Sequence, residues 1–297
     1  MYYSKRNGVY SYNNTSAEYT GKMKKTIIIT GASDGIGKAA ARELHNQGHE
    51  VVLIGRSPEK TKAVAQELGA KFYVVDFSKL SQVRDLAKAI KKDYVQIDVL
   101  ALNAGGIFSK RLLTDDGYEQ TFQINHLAHF LLVKLLLPTL LKSQATVIAT
   151  SSSAHSFSRL DIDDLNAEHG YHKWAVYGNA KLMNILFVRE LTRRYGAKGI
   201  NAAAFHPGLV ATGFSRDLSR PLKFIFSSKL SRYFGLVTPE QGADTLVWLA
   251  THTPTRDWKP GEYYSKRKVT RTSAKARDAG LAQNIWNKSE ALLERSN

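Results

Sequence analysis

Short apolar runs rich in β-branched residues alternate along the chain with longer segments of helical periodicity. Lys25–Thr30 (KTIIIT) is a continuous β-branched run, typical of a strand buried on both faces. Further strands are predicted at Glu50–Ile54, Lys71–Val75, Asp98–Leu102, Thr146–Thr150, Asn201–Phe205 and Glu262–Tyr264. Helices are predicted at Gly35–Gln47, Pro58–Leu68, Leu80–Lys91, within Gly117–Leu141, and at Trp174–Tyr195, Pro239–Thr251 and Ala274–Leu293. This alternation predicts an α/β protein of three layers, a doubly wound parallel sheet with right-handed crossovers and helices on both faces.

Two segments do not fit this alternation. Residues 1–22 are rich in tyrosine, serine and asparagine and contain no apolar stretch, so we expect a flexible extension rather than a signal peptide. Residues 212–238 interrupt the pattern after the sixth strand and are interpreted as an insertion that forms a lid over a substrate. No linker-like composition divides the rest, so residues 23–297 are expected to form a single domain.

Composition limits the possible functions. With 297 residues, 43% of them hydrophobic, the chain can bury a full core, and the absence of cysteine excludes disulfides, thiolate zinc sites and thiol nucleophiles. The 42 lysines and arginines against 26 aspartates and glutamates give a net charge of +16, which attracts anionic partners. The basic residues are scattered and lack the spacing of an RNA module or a zinc finger. We therefore interpret them as a solvated surface and expect no nucleic-acid partner.

Neither membrane insertion nor metal binding is expected. The most apolar run, His129–Leu141, contains Lys134 and Pro138 and is shorter than the ~20 residues that span a bilayer. We therefore expect no transmembrane segment and a cytoplasmic protein. No metal site is predicted, because metal-ligand spacing is absent among His126, His129, His155 and His206.

The first candidate site is the turn between the first strand and the first helix. Its sequence, TGASDGIG at residues 30–37, places three glycines where the backbone can approach a ligand closely. The helix N-terminus offers unpaired N–H groups and the positive end of a dipole to a pyrophosphate. The spacing G-x-x-x-G-x-G differs from the G-x-G-x-x-G pattern, and a tight turn without a ligand is the alternative. Its position in a βαβ unit favours a dinucleotide site.

The end of the second strand indicates which dinucleotide binds. An NAD site needs an acid there, about 20 residues beyond the glycines, to bind the ribose 2′-hydroxyl, whereas this chain has Gly55-Arg56-Ser57. The Arg56 guanidinium could pair with a 2′-phosphate and stack on adenine, and Ser33 could add a hydroxyl, which favours NADP(H) over NAD(H). The alternative is that Arg56 is a solvated loop residue.

A second candidate site combines a helix with the end of the fifth strand. Tyr177 and Lys181 lie four residues apart, so the phenol and the ammonium share one helix face. A nearby cation lowers the pKa of a tyrosine and makes it a proton donor or acceptor near neutral pH. Ser152 lies in a serine cluster at the carboxyl end of the fifth strand, where open α/β sheets bind ligands, and its hydroxyl could hydrogen-bond a substrate carbonyl.

These motifs together resemble the short-chain dehydrogenase/reductase family, a Rossmann fold, and more narrowly its retinol-dehydrogenase-like branch. The resemblance covers residues 23–295. Besides the glycine turn and the Tyr177 helix, it rests on Val75–Phe77, Asn103–Gly106, Gln123–Phe130, Ser151–His155 and His206–Thr212. Leu102 stands where the family has the first asparagine of its Asn-Asn-Ala-Gly signature. Asp34 stands where NADP-preferring members often have a basic residue. The N-terminal membrane anchor of many retinol dehydrogenases is not found in this sequence, which argues against a retinoid substrate.

The resemblance implies a role for each matching residue. Tyr177 would be the acid/base, Lys181 would bind the nicotinamide ribose and lower the pKa of Tyr177, Ser152 would orient the carbonyl, and Asn125 would anchor a water that links Lys181 to solvent. Besides Tyr177 and Lys181, the implied cofactor contacts are Gly31, Ser33, Asp34, Gly35, Ile36, Gly37, Arg56, Asp76, Phe77, Asn103, Ala104, Gly105, Pro207, Gly208, Val210 and Thr212.

The sequence therefore predicts an NADP(H)-dependent oxidoreductase that interconverts a carbonyl and an alcohol, on an apolar, aromatic or lipid-like small molecule. The alternative is a cofactor-binding scaffold or regulatory protein that acts through a partner. A homodimer is also predicted, because apolar residues surround both the Gly117–Leu141 helix and the Tyr177 helix and indicate a second buried face. The alternative is a monomer in which these residues form internal core against the C-terminal helix.

Overall fold

The predicted strands form one sheet in a computed structural model that describes residues 24–210 and 236–294. The strands are β1 (Thr26–Thr30), β2 (Glu50–Gly55), β3 (Lys71–Val74), β4 (Val99–Leu102), β5 (Thr146–Thr150), β6 (Asn201–His206), β9 (Tyr263–Ser265) and β10 (Lys268–Val269). Their order is β10-β9-β6-β5-β4-β1-β2-β3, and all pairs are parallel except β9 with β10. Two short strands, β7 (Leu209–Val210) and β8 (Leu236–Val237), pair separately. The predicted doubly wound sheet is confirmed, with an antiparallel edge strand that the sequence did not indicate.

Helices cover both faces of the sheet. They are α1 (Gly35–Asn46), α2 (Pro58–Leu68), α3 (Leu80–Asp93), α4 (Gln120–Lys142), α5 (Lys173–Tyr195), α6 (Pro239–Thr251) and α7 (Ala279–Glu294). Residues of α1, α2 and α6 share one core cluster with Ile27 and Ile29, and residues of α3, α4, α5 and α7 share the other with Ile28. Successive residues of β1 thus bury opposite faces, as strand geometry requires. This is why its β-branched run is continuous.

Side-chain caps set the first residues of two helices. The helix predicted within Gly117–Leu141 begins at Gln120, because the Glu119 carboxylate accepts hydrogen bonds from the backbone of Thr121 and Phe122. The last helix begins at Ala279 rather than Ala274, since the Asp278 carboxylate accepts from the Leu281 amide. Helix α4 also contains a π-helical turn over Gln123–Leu127, which the sequence did not indicate.

Helix α4 is longer than its predicted apolar run. It has 23 residues and is the one helix within residues 24–210 and 236–294 that could cross a membrane by length and composition, but 67% of its most apolar window is buried inside the protein. We interpret it as a core helix.

The second apolar face of α4 and α5 is covered by α7. Trp286 of α7 stacks on Phe187 of α5, with ring centroids 5.7 Å apart, and lies edge-on to Phe130 of α4 at 4.9 Å. The homodimer prediction assumed that only solvent lies outside these helices. That assumption is wrong, because the C-terminal helix α7 packs against their outer side. The homodimer stays a prediction, and the apolar surface of these two helices no longer supports it.

Two predicted segments lie outside the described residues. They are the flexible extension, residues 1–22, and residues 212–235 of the predicted 212–238 lid insertion, which include the predicted cofactor contact Thr212.

Candidate active site

The predicted site residues converge at the carboxyl edge of the sheet. Strand β1 lies between β4 and β2, so the direction of chain progression reverses at β1, the position at which doubly wound sheets bind ligands. Of the predicted cofactor residues, Gly31 follows β1, Asn103–Gly105 follow β4, and Pro207 and Gly208 follow β6. Arg56 and Asp76 follow the outer strands β2 and β3.

The glycine turn brings the start of α1 against the loop after β4. Gly31 has φ +68°, and a Cβ there would lie 2.9 Å from the Ala104 Cα, so any other residue would be strained and would collide with backbone. Asp34 caps α1 by accepting a hydrogen bond from the Gly35 amide at 2.9 Å. Gly37 is buried and Ile36 half-buried beneath the turn. The turn therefore presents backbone and a helix N-terminus, as a dinucleotide phosphate site requires.

An ion pair beside this turn was not predicted. The Asp34 carboxylate lies 2.6 Å from the ammonium of Lys60, in the first turn of α2. Arg56 is exposed and Ser33 half-buried at the same edge of the sheet. The negative charge of Asp34, where NADP-preferring members often have a basic residue, is thus offset by Lys60.

The residues after β3 divide between surface and core. The Asp76 carboxylate accepts from the Ser78 amide at 2.9 Å and from its hydroxyl at 2.8 Å. Phe77 is 5% exposed and packs on the His129 ring, with centroids 5.0 Å apart. Its side chain belongs to the core, so of the two predicted contacts only Asp76 presents its side chain near the surface.

The loop after β4 is fixed by Asn103 and Thr30. The side-chain nitrogen of Asn103 donates to the Thr30 carbonyl at 3.1 Å, and the side-chain oxygen of Asn103 accepts from the Thr150 hydroxyl at 3.1 Å. The Thr30 hydroxyl accepts from the backbone of Asn103 and Ala104 at 2.8 and 2.9 Å. Asn103 thus joins the ends of β1, β4 and β5, and the substitution at Leu102, which is buried, leaves this junction intact.

The four predicted catalytic residues come together on three elements. Ser152 follows β5 and hydrogen-bonds the Tyr177 side chain, and Tyr177 and Lys181 lie on α5 with the Lys181 ammonium 5.3 Å from the tyrosine ring centroid. Asn125 lies in the π turn of α4 and is fully buried. Its side chain donates to the Gly106 and Thr121 carbonyls.

Burial controls the protonation of Tyr177 and Lys181. Burial raises the pKa of Tyr177 to about 12, against a smaller lowering by the Ser152 hydrogen bond. Burial also lowers the pKa of Lys181 to about 7, and the ammonium donates to the Thr150 carbonyl at 3.2 Å. The net shift of the Tyr177 pKa is therefore upward, and a lysine with a pKa of about 7 is only partly charged at neutral pH and opposes this shift weakly.

The segment after β6 closes the site near α6. Gly208 has φ +88°, Val210 is buried, and a Cβ on Gly242 of α6 would lie 2.8 Å from a Val210 methyl and 3.5 Å from the Pro207 carbonyl. This packing holds the predicted nicotinamide segment against the start of α6.

The four singled-out histidines have hydrogen-bond partners within the protein. His126 contacts Ser289, His129 contacts Thr30, His155 contacts the Ser152 carbonyl, and His206 accepts from the Ser153 amide. Within the described ranges no group of three or more His, Asp or Glu side chains is placed to hold a metal ion.

Sequence reasoning missed Thr30, Lys60 and the role of His129. His129 could have been found, because it lies one helical turn after Asn125 and can reach the Asn125 carbonyl. Lys60 could not, since nothing in the sequence indicates that the start of α2 meets the glycine turn.

Comparison with known proteins identifies the class that this fold and site define. The family model for short chain dehydrogenases matches residues 25–223, and the chain belongs to the short-chain dehydrogenase/reductase family. It is 40% identical to a Streptomyces sp. (strain C5) protein provisionally named a daunorubicin C-13 ketoreductase, over 91% of this chain and 92% of the relative. It is 33% identical to human retinol dehydrogenase 14, over 91% and 86%.

A crystal structure supports the same assignment. A protein from Mycobacterium paratuberculosis, which its structure report leaves uncharacterised, superposes with a TM-score of 0.72 at 31% identity, covering 91% of this chain and 93% of its own. Within the family the chain lies in the retinol-dehydrogenase-like branch, and it is an alcohol or carbonyl oxidoreductase.

Proposed function

We propose that the protein is an NADP(H)-dependent oxidoreductase that interconverts a ketone or aldehyde and the corresponding alcohol, on an apolar aromatic or lipid-like substrate. The convergence of Ser152, Tyr177, Lys181 and Asn125 beside the glycine turn carries this proposal. A scaffold that only binds the cofactor would not need a buried lysine beside a buried tyrosine, because burying a charged group is costly.

The residues present fit a nicotinamide dinucleotide. A Cβ on Gly105 would collide with the Asn125 side chain and lie 3.4 Å from the Lys181 nitrogen, so only the bare backbone of a glycine fits between this loop and the two side chains. A bound cofactor would supply or accept the hydride. Gly31 and the start of α1 would bind its phosphates, and Lys181 would hold the hydroxyls of the nicotinamide ribose.

Tyr177 and Ser152 would handle the oxygen of the substrate. During reduction, carbon gains the hydride and the Tyr177 hydroxyl gives its proton to the carbonyl oxygen, which becomes the alcohol. The Ser152 hydroxyl would hydrogen-bond that oxygen and stabilise the charge that develops on it. With its pKa raised by burial, Tyr177 is protonated at neutral pH, the state that reduction requires.

The charges around the adenosine end support NADP(H). Arg56 is exposed at the end of β2, where an NAD site would have an acid, and Lys60 offsets Asp34. Glu59 also lies at the start of α2, where the Ser57 hydroxyl donates to it. Because Lys60 is paired with Asp34, the cation left for a 2′-phosphate at this edge would be the Arg56 guanidinium.

Replacing Arg56 with aspartate is expected to shift the preference towards NAD(H). Loss of a charged hydrogen bond to phosphate costs roughly 1.5–3 kcal/mol, which raises the NADPH dissociation constant about 10- to 150-fold. Isothermal titration with NADPH and NADH measures both affinities. Arg256→Asp is the matched control: it makes the same charge change on an exposed arginine beyond the end of α6. Equal effects of the two variants, or equal binding of both cofactors by the wild type, would contradict the role of Arg56.

An aromatic cleft formed by residues on either side of the predicted catalytic segments in the sequence supports the substrate class. It has a volume of about 660 Å³ and is lined by Ser156, Phe157, Ser158, Arg159, His172, Trp174 and Ala175. These residues lie shortly after Ser152 or shortly before Tyr177 in the chain, and the four predicted catalytic residues are not among them. Phe157 is 69% exposed and Trp174 42% exposed. Large exposed apolar side chains that lie together can mark a ligand surface, and the ketoreductase relative is named for daunorubicin.

Trp174→Ala is expected to weaken the use of bulky aromatic ketones selectively. An aromatic contact contributes about 0.5–1.5 kcal/mol beyond simple burial, so KM for a polycyclic ketone should rise about 3- to 10-fold. KM for a small aliphatic aldehyde should change little, because it cannot reach the indole. Val95→Ala, an exposed apolar residue before β4 at the opposite edge of the sheet, serves as the control. NADPH consumption against both substrates tests this, and a parallel loss on both would refute the aromatic cleft.

A further inference from the structure

A closed ring of hydrogen bonds surrounds the loop that follows β4. The loop, residues 103–106, is held on one side by Thr30 at the end of β1 and on the other by Asn125 in the π turn of α4. His129, one turn further along α4, contacts both Thr30 and Asn125 and so completes the ring.

The Thr30 side of the ring uses one hydroxyl for three contacts. Its oxygen lies 2.8 Å from the Asn103 amide, 2.9 Å from the Ala104 amide and 3.0 Å from Nε2 of His129. The two amides can only donate, so they occupy both lone pairs of the hydroxyl oxygen. The hydroxyl proton is then left for a single acceptor, either His129 Nε2 or the Ala101 carbonyl at 3.3 Å.

The Asn125 side of the ring is a reciprocal pair. The Gly106 amide donates to the Asn125 side-chain oxygen at 3.1 Å, and the side-chain nitrogen donates back to the Gly106 carbonyl at 2.9 Å. The second proton of that nitrogen goes to the Thr121 carbonyl at 2.8 Å. All the donors of this buried amide are used, so Asn125 cannot shift without carrying Gly106 with it.

The protonation of His129 follows from its two neighbours. Nδ1 lies 3.2 Å from the Asn125 backbone carbonyl, which can only accept, so Nδ1 must carry the proton. Burial lowers the pKa of His129 to about 3, so the ring is neutral and Nε2 has no proton. Nε2 therefore accepts from Thr30. This arrangement satisfies both ring nitrogens at a residue that is 3% exposed.

We infer that His129 is a positioning residue for the reaction: as the neutral Nδ1–H tautomer it locks the 103–106 loop between Thr30 and Asn125 and thereby fixes the position of Gly105 relative to Lys181. The link to Lys181 is Gly105, because a Cβ on this residue would lie 3.4 Å from the lysine nitrogen and would collide with the Asn125 side chain. A displaced loop would therefore change the position of the Gly105 backbone relative to the lysine nitrogen. The effect on catalysis rests on the proposed function, whereas the ring itself is tested without cofactor.

The cofactor-free test is nuclear magnetic resonance on the wild-type protein. Long-range ¹⁵N–¹H correlation of the imidazoles should show a proton on Nδ1 and none on Nε2 of His129. Hydrogen exchange should show strong protection of the Asn103, Ala104 and Gly106 amides. A proton on Nε2 instead would overturn the inference, whatever the enzyme activity.

The mutational test compares two buried histidines of the same helix. His129→Phe removes both hydrogen bonds and keeps a ring, and His126→Phe does the same at a residue 2% exposed that contacts Asn184 and Ser289. Both should lower the melting temperature. Only His129→Phe should speed hydrogen exchange of the Asn103 and Ala104 amides. It should also raise the NADPH dissociation constant about 10-fold, which corresponds to the free energy of one buried hydrogen bond.

A partial rescue separates positioning from packing. In His129→Asn the side-chain nitrogen can stand near the former Nδ1 and donate to the Asn125 carbonyl, so NADPH affinity should recover towards the wild type more than melting temperature does. If His129→Phe does not fold, His129→Asn and the tautomer measurement still decide. Equal effects of His126→Phe and His129→Phe on exchange and affinity would reduce His129 to a packing residue. If the tautomer and the hydrogen-exchange results are as expected but the wild-type protein reduces no carbonyl compound, only the proposed function is contradicted.

Discussion

Tyr177→Phe is expected to lower kcat for carbonyl reduction by ~10²–10⁴, the usual contribution of general acid catalysis, with little change in NADPH affinity. The substitution keeps the buried ring and removes only the proton that the carbonyl oxygen would receive. It also removes one hydrogen-bond partner of the Ser152 hydroxyl, whose oxygen still accepts from the Ala154 amide at 3.1 Å. The measurement is NADPH consumption against a panel of aldehydes and ketones, together with cofactor titration.

The control is Tyr195→Phe, which removes a hydroxyl from a half-buried tyrosine at the far end of the same helix. It should retain wild-type kcat. A Tyr177→Phe enzyme with most of its activity would falsify the assignment of the proton donor. A wild-type protein that binds NADPH but reduces none of the panel would favour the scaffold alternative.

Lys181→Met is expected to stabilise the cofactor-free protein and to abolish its activity. Burial lowers the pKa of Lys181 from 10.5 to about 7, a shift equivalent to about 5 kcal/mol of unfavourable charge burial. Methionine has a similar length and carries no charge, so the free energy of unfolding should rise by on the order of 1–3 kcal/mol at pH 7, after loss of the hydrogen bond to Thr150. Activity and NADPH affinity should both fall, since Lys181 would also hold the nicotinamide ribose.

The stability difference should depend on pH in a defined direction. Below pH 7 both the folded and the unfolded chains bind the lysine proton, so the full cost of burying the charge is present in the wild type. Between about pH 7 and 10.5 the unfolded chain keeps the proton that the folded protein has lost, so wild-type stability rises with pH relative to the variant. The gap is therefore largest below pH 7 and narrows towards pH 10.5.

Denaturant unfolding at several pH values measures this gap. Lys88→Met, on the exposed face of α3, should show neither the gain in stability nor its pH dependence, because its side chain is 75% exposed. A Lys181→Met protein that is less stable than the wild type at neutral pH would show that the lysine is not penalised by burial.

These two residues illustrate a conflict between stability and function. The fold buries a phenol and an amine within one helix turn, and burial disfavours the ionised form of each. A protein selected only for stability would have apolar residues at both positions. Their burial side by side is what the proposed catalytic roles of the pair require.

The sequence by itself determined the order of strands and helices, because each depends on local periodicity. The β-branched run before Gly31, the glycine turn and the i, i+4 spacing of Tyr177 and Lys181 are all visible in single segments. Caps and the π turn were missed, since they depend on whether one side chain, such as that of Glu119 or Asp278, meets a particular amide.

Only the tertiary structure decided which residues meet across the sheet. In the folded protein Trp286 packs on α4, and Lys60 pairs with Asp34. Burial raises the pKa of Tyr177, whereas the sequence predicted that it would be lowered. The physical reason is the same in each case. Burial, charge pairing and the closing of a hydrogen-bond ring depend on distances between segments far apart in the chain, whereas the pattern that forms each segment is local.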